Sequence, residues 1–262
     1  MSLFVKFIYF LVIWFVEQIN PDRKTERITY FKKNNFFKIS NNRFVTNCAF
    51  GVLWIIFLSF FGKSIYELSI QFYRYTYHSL RFQRNNLFSF IIFFLIVDYL
   101  TYIWHVANHK FKFLRRFHQI HHSDLLVDFS TTFRFHFIEL LLHFVLKLML
   151  IYILRINFIW FFISETMLLF FGVFHHGNIY LPKKVDSILS LFIVTPRYHY
   201  NHHLLDLAYA NSNYSSLLTI WDKIHGTYTI PSVIDGKPLG ISSAREINQL
   251  SFLQLLKMPF KL

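Results

Sequence analysis

Long apolar blocks separated by short polar and basic intervals dominate this chain. Five blocks approach the ~20 residues that an α-helix needs to cross a bilayer: Leu3 to Ile19, Phe44 to Phe61, Leu87 to Trp104, Phe137 to Leu154 and Asn157 to Phe174. Several are interrupted by a polar residue, so the pattern predicts an all-α, multi-pass integral membrane protein with about four to five spans. No small-residue cleavage site follows the first block, and Glu17-Gln18-Ile19-Asn20-Pro21-Asp22 reads as the end of a retained anchor. Near the C-terminus, Ser243-Ala244-Arg245-Glu246 has the form of a capping box. Ile247, Leu250, Leu253 and Leu256 then recur at helical spacing, predicting an amphipathic tail helix.

Composition agrees with a lipid solvent, since 54% of the 262 residues are hydrophobic, 21% aromatic and only 16% charged. No repeat, Gly/Ser linker or Pro-rich tract divides the chain. It is expected to form one unit, in which residues 1–86 supply anchoring spans and an amphipathic connector, 87–230 hold the chemistry, and 231–262 form a tail. Charge orients it. Basic residues gather at Arg23 to Arg43, at Lys110 to Arg116, and at Lys183, Lys184 and Arg197. The positive-inside bias places all three on the cytoplasmic side, with the N-terminus outside and the mildly basic stretch from Lys63 to Asn86 as an exception. The formal net charge of +13 is thus mainly topological, and no nucleic-acid-binding signature accompanies it. Cys48 is the single cysteine, which excludes an internal disulfide and a cysteine-based metal site.

Of the 14 histidines, ten form four clusters: His105xxxHis109, His118-Gln119-Ile120-His121-His122, His175-His176, and His199-Tyr200-Asn201-His202-His203. Residues at i, i+3 and i+4 share a helix face, so each HxxxH or HxxHH aims two or three imidazoles at one point. Imidazole suits Zn, Fe, Cu and Ni, and so many rings exceed the needs of one tetrahedral ion. Two metals on the cytoplasmic side are expected. Asp98, Glu139 and Glu165 lie in apolar blocks at spacings that return to the faces of His105, His136 and His176. Each is expected to accept the second ring N–H of a metal-bound histidine. The alternative of a helix cap or interhelical hydrogen bond stays open for each, most of all for Glu165, about three turns from its histidine. His78 and His225 stand alone and read as surface or hydrogen-bonding residues, and His143 as an interhelical hydrogen-bonding group.

Those clusters occur together with Leu114-Arg115-Arg116-Phe117 ahead of the first HxxHH, Thr131-Thr132-Phe133-Arg134-Phe135-His136, Gly177-Asn178, Val194-Thr195-Pro196-Arg197-Tyr198, Asn211-Ser212-Asn213-Tyr214 and Trp221-Asp222-Lys223-Ile224-His225-Gly226-Thr227-Tyr228. In this order and spacing, residues 43 to 230 closely resemble the sterol desaturase and fatty acid hydroxylase superfamily. The chain departs from that pattern at Val106, Phe137 and His225, none of them a motif histidine. The resemblance implies two iron ions held by His105, His109, His118, His121, His122, His176, His199, His202 and His203, with His136 a further candidate and His175 ranked below His176. It also implies O2 as co-substrate and a membrane lipid, whether sterol, fatty acyl or related, that is hydroxylated or desaturated in lipid biosynthesis. The membrane would be the inner membrane of a bacterium or the endoplasmic reticulum of a eukaryote. No dinucleotide or haem motif is present, so electrons are expected from an external donor, a reductase with cytochrome b5 or ferredoxin. A divalent-metal transporter is disfavoured because its ligands belong near the bilayer midplane, and an inactive relative because the histidine set is intact.

Overall fold

The computed structural model describes residues 3–23, 43–77, 87–154, 158–230, 237–245 and 250–261. They form α1 (Leu3–Ile19), α2 (Arg43–Tyr77), α3 (Leu87–Lys110), α4 (Lys112–His122), α5 (Phe137–Leu154), α6 (Phe158–His176), α7 (Lys183–Leu189), α8 (Pro196–His202), α9 (Leu207–Ala210), α10 (Ile220–Ile224) and α11 (Phe252–Lys257). Short 3-10 helices occur at Phe129–Phe133 and Met258–Phe260. The fold is all-α, and β-structure among the described residues is limited to isolated bridges such as Ile193 with Leu218. Every apolar block becomes a helix. Among the described residues, three stretches are long and apolar enough to cross a membrane: Arg43–Phe61, Leu87–Lys110 and Ile159–His176. Only 17%, 28% and 39% of each apolar window is buried, so much apolar surface is left that an apolar surrounding would cover.

Two sequence expectations change. The second block and the start of its expected connector are one continuous helix of 35 residues. At the tail, Ser243 does not cap a helix. Ile241 and Ala244 close a tight turn and Arg245 donates to the Leu239 carbonyl; the described tail helix runs over Phe252–Lys257, after Ser251. The basic stretch 24–42, His78, Arg81, Arg84 and residues 246–249 lie outside the described residues.

Of four apolar clusters among the described residues, three join the long helices. Ile13 of α1 meets Phe129, Val173 of α6 and Ile179. Phe50 of α2 meets Ile120 of α4 and Leu255 of α11, and Phe93 and Val97 of α3 meet Phe161 of α6. Between the first two clusters, the C-terminal ends of α3 and α6 come against α4 and α8. The histidines meet there.

Candidate metal centre

A single extended residue, Phe111 (φ −89°, ψ 120°), separates α3 from α4. Its N–H still bonds to Ala107 O at 2.9 Å, so the chain redirects without losing the helical ladder and α4 folds back onto α3. His118, His121 and His122 are thereby brought beside His105 and His109. The other HxxHH motif lies on α8, which starts where the Thr195 side chain accepts from Tyr198 N and Pro196 occupies the first turn. His176 ends α6.

The imidazoles divide into two groups, one of His105, His109, His118, His122 and His202, the other of His121, His176, His199 and His203, with the ligand atoms of each within 4.8 Å of one another. The two motifs contribute crosswise. From α4, His118 and His122 enter the first group and His121 the second, whereas from α8, His199 and His203 enter the second and His202 the first. The groups adjoin, the His122 and His203 rings stacking at 4.6 Å.

The hydrogen bonds reveal which nitrogens are free. Nδ1 of His105 donates to Tyr214 O (2.6 Å), that of His118 to Glu139 Oε1 (2.7 Å), that of His176 to Gly172 O (2.7 Å) and that of His202 to Ser212 O (2.7 Å). Carbonyl and carboxylate oxygens only accept, so these four rings carry their proton on Nδ1 and a lone pair on Nε2. Yet His105 Nε2 and His202 Nε2 stand 2.8 Å apart, two lone pairs face to face with no proton between them. Similar Nε2 contacts of 3.0–3.2 Å join His109 to His122 and His122 to His118, and, in the second group, His121 to His176, His176 to His199 and His199 to His203. A cation in the first group would turn this repulsion into ligation, and the second group offers four converging imidazole nitrogens of the same kind, so the donor set fits two imidazole-bound metal ions. Burial first, and neighbouring imidazoles second, hold His121, His122, His199, His202 and His203 well below the ordinary histidine value, leaving them neutral at pH 7.

Behind the rings lies a layer of supporting contacts. Buried Asp222 accepts from Tyr214 N, Ser215 N and the Tyr198 hydroxyl at 2.8 Å each and from Thr227 Oγ1 at 2.6 Å, which fixes the carbonyl that orients His105. Asn213, at φ 54°, donates to Tyr198 O and Thr229 O and accepts from Thr229 N, so residues 212 and 214 present their carbonyls to His202 and His105. The left-handed backbone here is one that Asn tolerates better than most residues. In the second group, the Nδ1 atoms of His121, His199 and His203 are unpaired; His121 instead lies flat on Phe135 at 4.2 Å.

A second network lies under the C-terminal end of α4. Buried Arg134 donates to Ile120 O, Ser123 Oγ and Asn47 Oδ1, placing a cation at the C-terminal end of the helix. Arg43 forks onto Asp124 at 2.5 and 2.9 Å and reaches Asp128. Burial alone would raise the Asp124 carboxyl, but Arg43 and Arg134 outweigh it and hold it below the usual range. From the sequence Arg43 reads as one more loop charge; its burial depends on contacts 81 and more residues away. The end of α1 is equally engaged. Glu17 accepts from Phe129 N and Asn178 N, Asp22 pairs with Arg197 at 2.8 Å, and the Arg23 guanidinium covers the Tyr200 ring at 3.8 Å. Residues 17–23 therefore hold both the segment after His176 and the helix that carries His199 and His203.

Of the expected supporting acids, Glu139 reaches His118 and also Asn108. Asp98 does not reach an imidazole: it accepts from Trp221 Nε1 (2.7 Å) and Leu218 N (3.2 Å), because that face of α3 packs on α10. Glu165 pairs with Lys147 at 2.7 Å, joining α6 to α5. His136 lies outside both groups, its Nδ1 accepting from Ile138 N beside Phe117 and Phe260; it precedes α5 and faces away from the convergence point. His175 packs on His199 at 4.2 Å without entering either group. His143 stacks on Trp104 with its Nε2 unpaired, in place of the expected interhelical bond. His225 is exposed and meets the Tyr99 hydroxyl at 3.1 Å.

Fold and site together define an all-α protein with paired histidine groups at the ends of apolar helices. The profile of the fatty acid hydroxylase family matches residues 90–227, a stretch that contains all nine grouped histidines, and the chain belongs to that family. It is 31% identical over 173 residues to the ornithine lipid hydroxylase OlsE of Rhizobium tropici (66% of this chain, 50% of the relative). It is 26% identical over 191 residues to the alkylglycerol monooxygenase of Danio rerio (72% and 41%). The chain thus spans about half the length of these curated relatives or less. No solved structure matches it.

Proposed function

We propose that this protein is a multi-pass membrane oxidoreductase that uses two iron ions and O2 to hydroxylate a polar membrane lipid. The observation that carries this reading is the pair of adjoining buried imidazole groups with closely converging Nε2 atoms, two of which, on His105 and His202, face each other as lone pairs at 2.8 Å. His105, His109, His118, His122 and His202 would hold one ion, and His121, His176, His199 and His203 the other. Iron supplies the redox chemistry that zinc lacks. The overall reaction balances as R–H + O2 + 2 electrons + 2 protons giving R–OH + H2O. Within it, Glu139, Ser212, Gly172 and Tyr214 retain the Nδ1 protons and so keep each Nε2 a donor to metal. The closed packing of the rings keeps bulk water out. The relatives act on an ornithine lipid and an alkylglycerol, which favours a lipid with a polar head group as substrate over a sterol. The positive-inside bias sets the histidine groups on the cytoplasmic side, of a bacterial inner membrane or a eukaryotic endoplasmic reticulum. There, exposed Lys110, Lys112, Arg115 and Arg116 would receive an acidic electron donor such as cytochrome b5 or a ferredoxin. The test is to purify the protein from iron-replete cells and assay lipid extracts with O2 and a reductase. Iron content with an O2-dependent gain of one oxygen in a lipid is expected, abolished by His118→Ala and His202→Ala and kept in His78→Ala. Protein that carries only zinc and consumes no O2 with any extract overturns the reading.

A further inference from the structure

Outside the long helices, the described residues include an exposed apolar surface on two short segments near the histidine groups. Ile188 (52% exposed), Leu191 (49%) and Phe192 (67%) on one segment lie beside Ile220 (44%) and Ile224 (64%) on α10. The two segments are joined by the Ile193–Leu218 bridge, by Thr219 N donating to Phe192 O at 3.1 Å and by Lys223 Nζ on Leu191 O. Ile220, Lys223 and Ile224 share one face of α10 at i, i+3 and i+4, while Trp221 and Asp222 turn inward to Asp98 and Tyr198.

The depth of this surface follows from where α10 docks. Trp221 and the Leu218 N–H bond to Asp98, and the Trp221 ring lies against Tyr99 at 4.9 Å, at the middle of the 24-residue α3. The apolar run of α3 begins at Leu87, just after Arg84-Asn85-Asn86. From Leu87 to Asp98 the helix rises only about 16 Å, against a hydrocarbon core of ~30 Å. A spanning α3 therefore carries Asp98 roughly 14 Å short of the far boundary, and tilt only deepens it. Outward-facing apolar side chains continue past that level to Ile103, 39% exposed.

We propose that the face formed by Ile188, Leu191, Phe192, Ile220 and Ile224 is immersed in the acyl-chain region of the leaflet that borders the histidine groups. The proposal rests on the reading of α3 as a membrane span. The occupant is lipid, because the face continues the outward apolar surface of α3; Lys183 and Lys184 on α7 have long stems that let their ammonium groups reach the headgroups, and the one cation on the face itself, Lys223, is bonded to the Leu191 carbonyl. Asp222 on the inner side of α10 holds Tyr214, whose ring packs on His105, His109 and His202. One turn of helix then separates acyl chains from the first histidine group.

The test uses the full chain with Cys48→Ser in phospholipid nanodiscs, spin-labelled singly at Phe192, Ile224, Ile91 and Asp206 through cysteine substitutions of these exposed residues. Accessibility to O2, which concentrates in hydrocarbon, is compared with accessibility to a water-soluble nickel chelate. The oxygen-to-nickel ratio at 192 and 224 is expected to match that at 91 and to exceed that at 206 several-fold. If 192 and 224 group with 206 while 91 stays in lipid, the immersed face is refuted and the spanning helix stands. If 91 is also nickel-accessible, the span itself is wrong and the proposal falls with it.

Discussion

Replacing Asp222 by Asn tests whether a carboxylate with no direct contact to any imidazole governs the first histidine group. The carboxylate satisfies two backbone N–H groups, one on each oxygen, and two hydroxyls. An Asn has one acceptor oxygen. The Tyr198 and Thr227 hydroxyls can rotate to accept from the new amide, but whichever way the amide is turned, the N–H of either Tyr214 or Ser215 is left facing a donor. A buried N–H without a partner costs about 1–3 kcal/mol, and losing the charge assistance on the remaining bonds brings the total to roughly 2–4 kcal/mol. At ~2–4 °C per kcal/mol for a chain of this size, melting should fall by about 5–15 °C. Because Tyr214 O orients His105 at 2.6 Å, metal affinity at the first group should fall as well, by about 10–100-fold as for other residues that back a ligand. Thermal unfolding in detergent and titration of the metal-free protein with Fe(II) or Co(II) read the two effects separately. A melting temperature within about 2 °C of the parent together with unchanged metal binding would refute the reasoning.

Glu139→Gln keeps an acceptor for His118 and Asn108 while removing the charge, and should weaken metal binding by about 10–100-fold with little change in melting; equal affinity by titration would show that the charge is irrelevant. The depressed values at His121, His122, His199, His202 and His203 imply acid sensitivity of the metal-free protein. Above about pH 6.5 neither state protonates them. As pH falls below that value the unfolded chain takes up protons that the folded chain refuses, so stability declines toward the lower folded-state values; melting that is flat from pH 7.5 to 5 would contradict this. Arg23→Ala removes the cover of Tyr200 and the donor to Val127 O, and should lower metal binding at the second group more than at the first, while Arg23→Lys recovers only part of it; equal losses at both groups would count against the staple. Lys147→Met alone strands Glu165 between apolar helices. The cost should approach the ~3–5 kcal/mol of breaking a buried pair, since Glu165 lies within the apolar stretch Ile159–His176 and its exposed part faces apolar surroundings, and Lys147→Met with Glu165→Gln should melt near the parent.

Legibility followed the range of the interaction. The all-α fold, the helical blocks and the histidine clusters depend on local periodicity and on residues within one helical turn, and so could be read along the chain. That Glu139 backs His118 was expected in kind, though its spacing pointed to His136. The crosswise assignment of the two HxxHH motifs was not legible. Helix geometry says that His118 and His122 share a side, but which other helix they face depends on the single extended residue Phe111 and on how α4 and α8 pack. The partners of Asp98 and Glu165 were likewise settled by neighbouring helices: at the same periodicity a carboxylate can meet an imidazole, an indole or an ammonium group. Arg43, Asp222 and the staple of residues 17–23 each bind segments far away in the chain, 81 residues distant for Arg43 and 161 for Glu17 with Asn178. Sequence alone determined where the helices lie, how apolar they are and which histidines cluster, because periodicity and composition are local. Only the tertiary structure decided which nitrogen faces which, because a lone pair acquires its partner from whatever the rest of the chain packs against it.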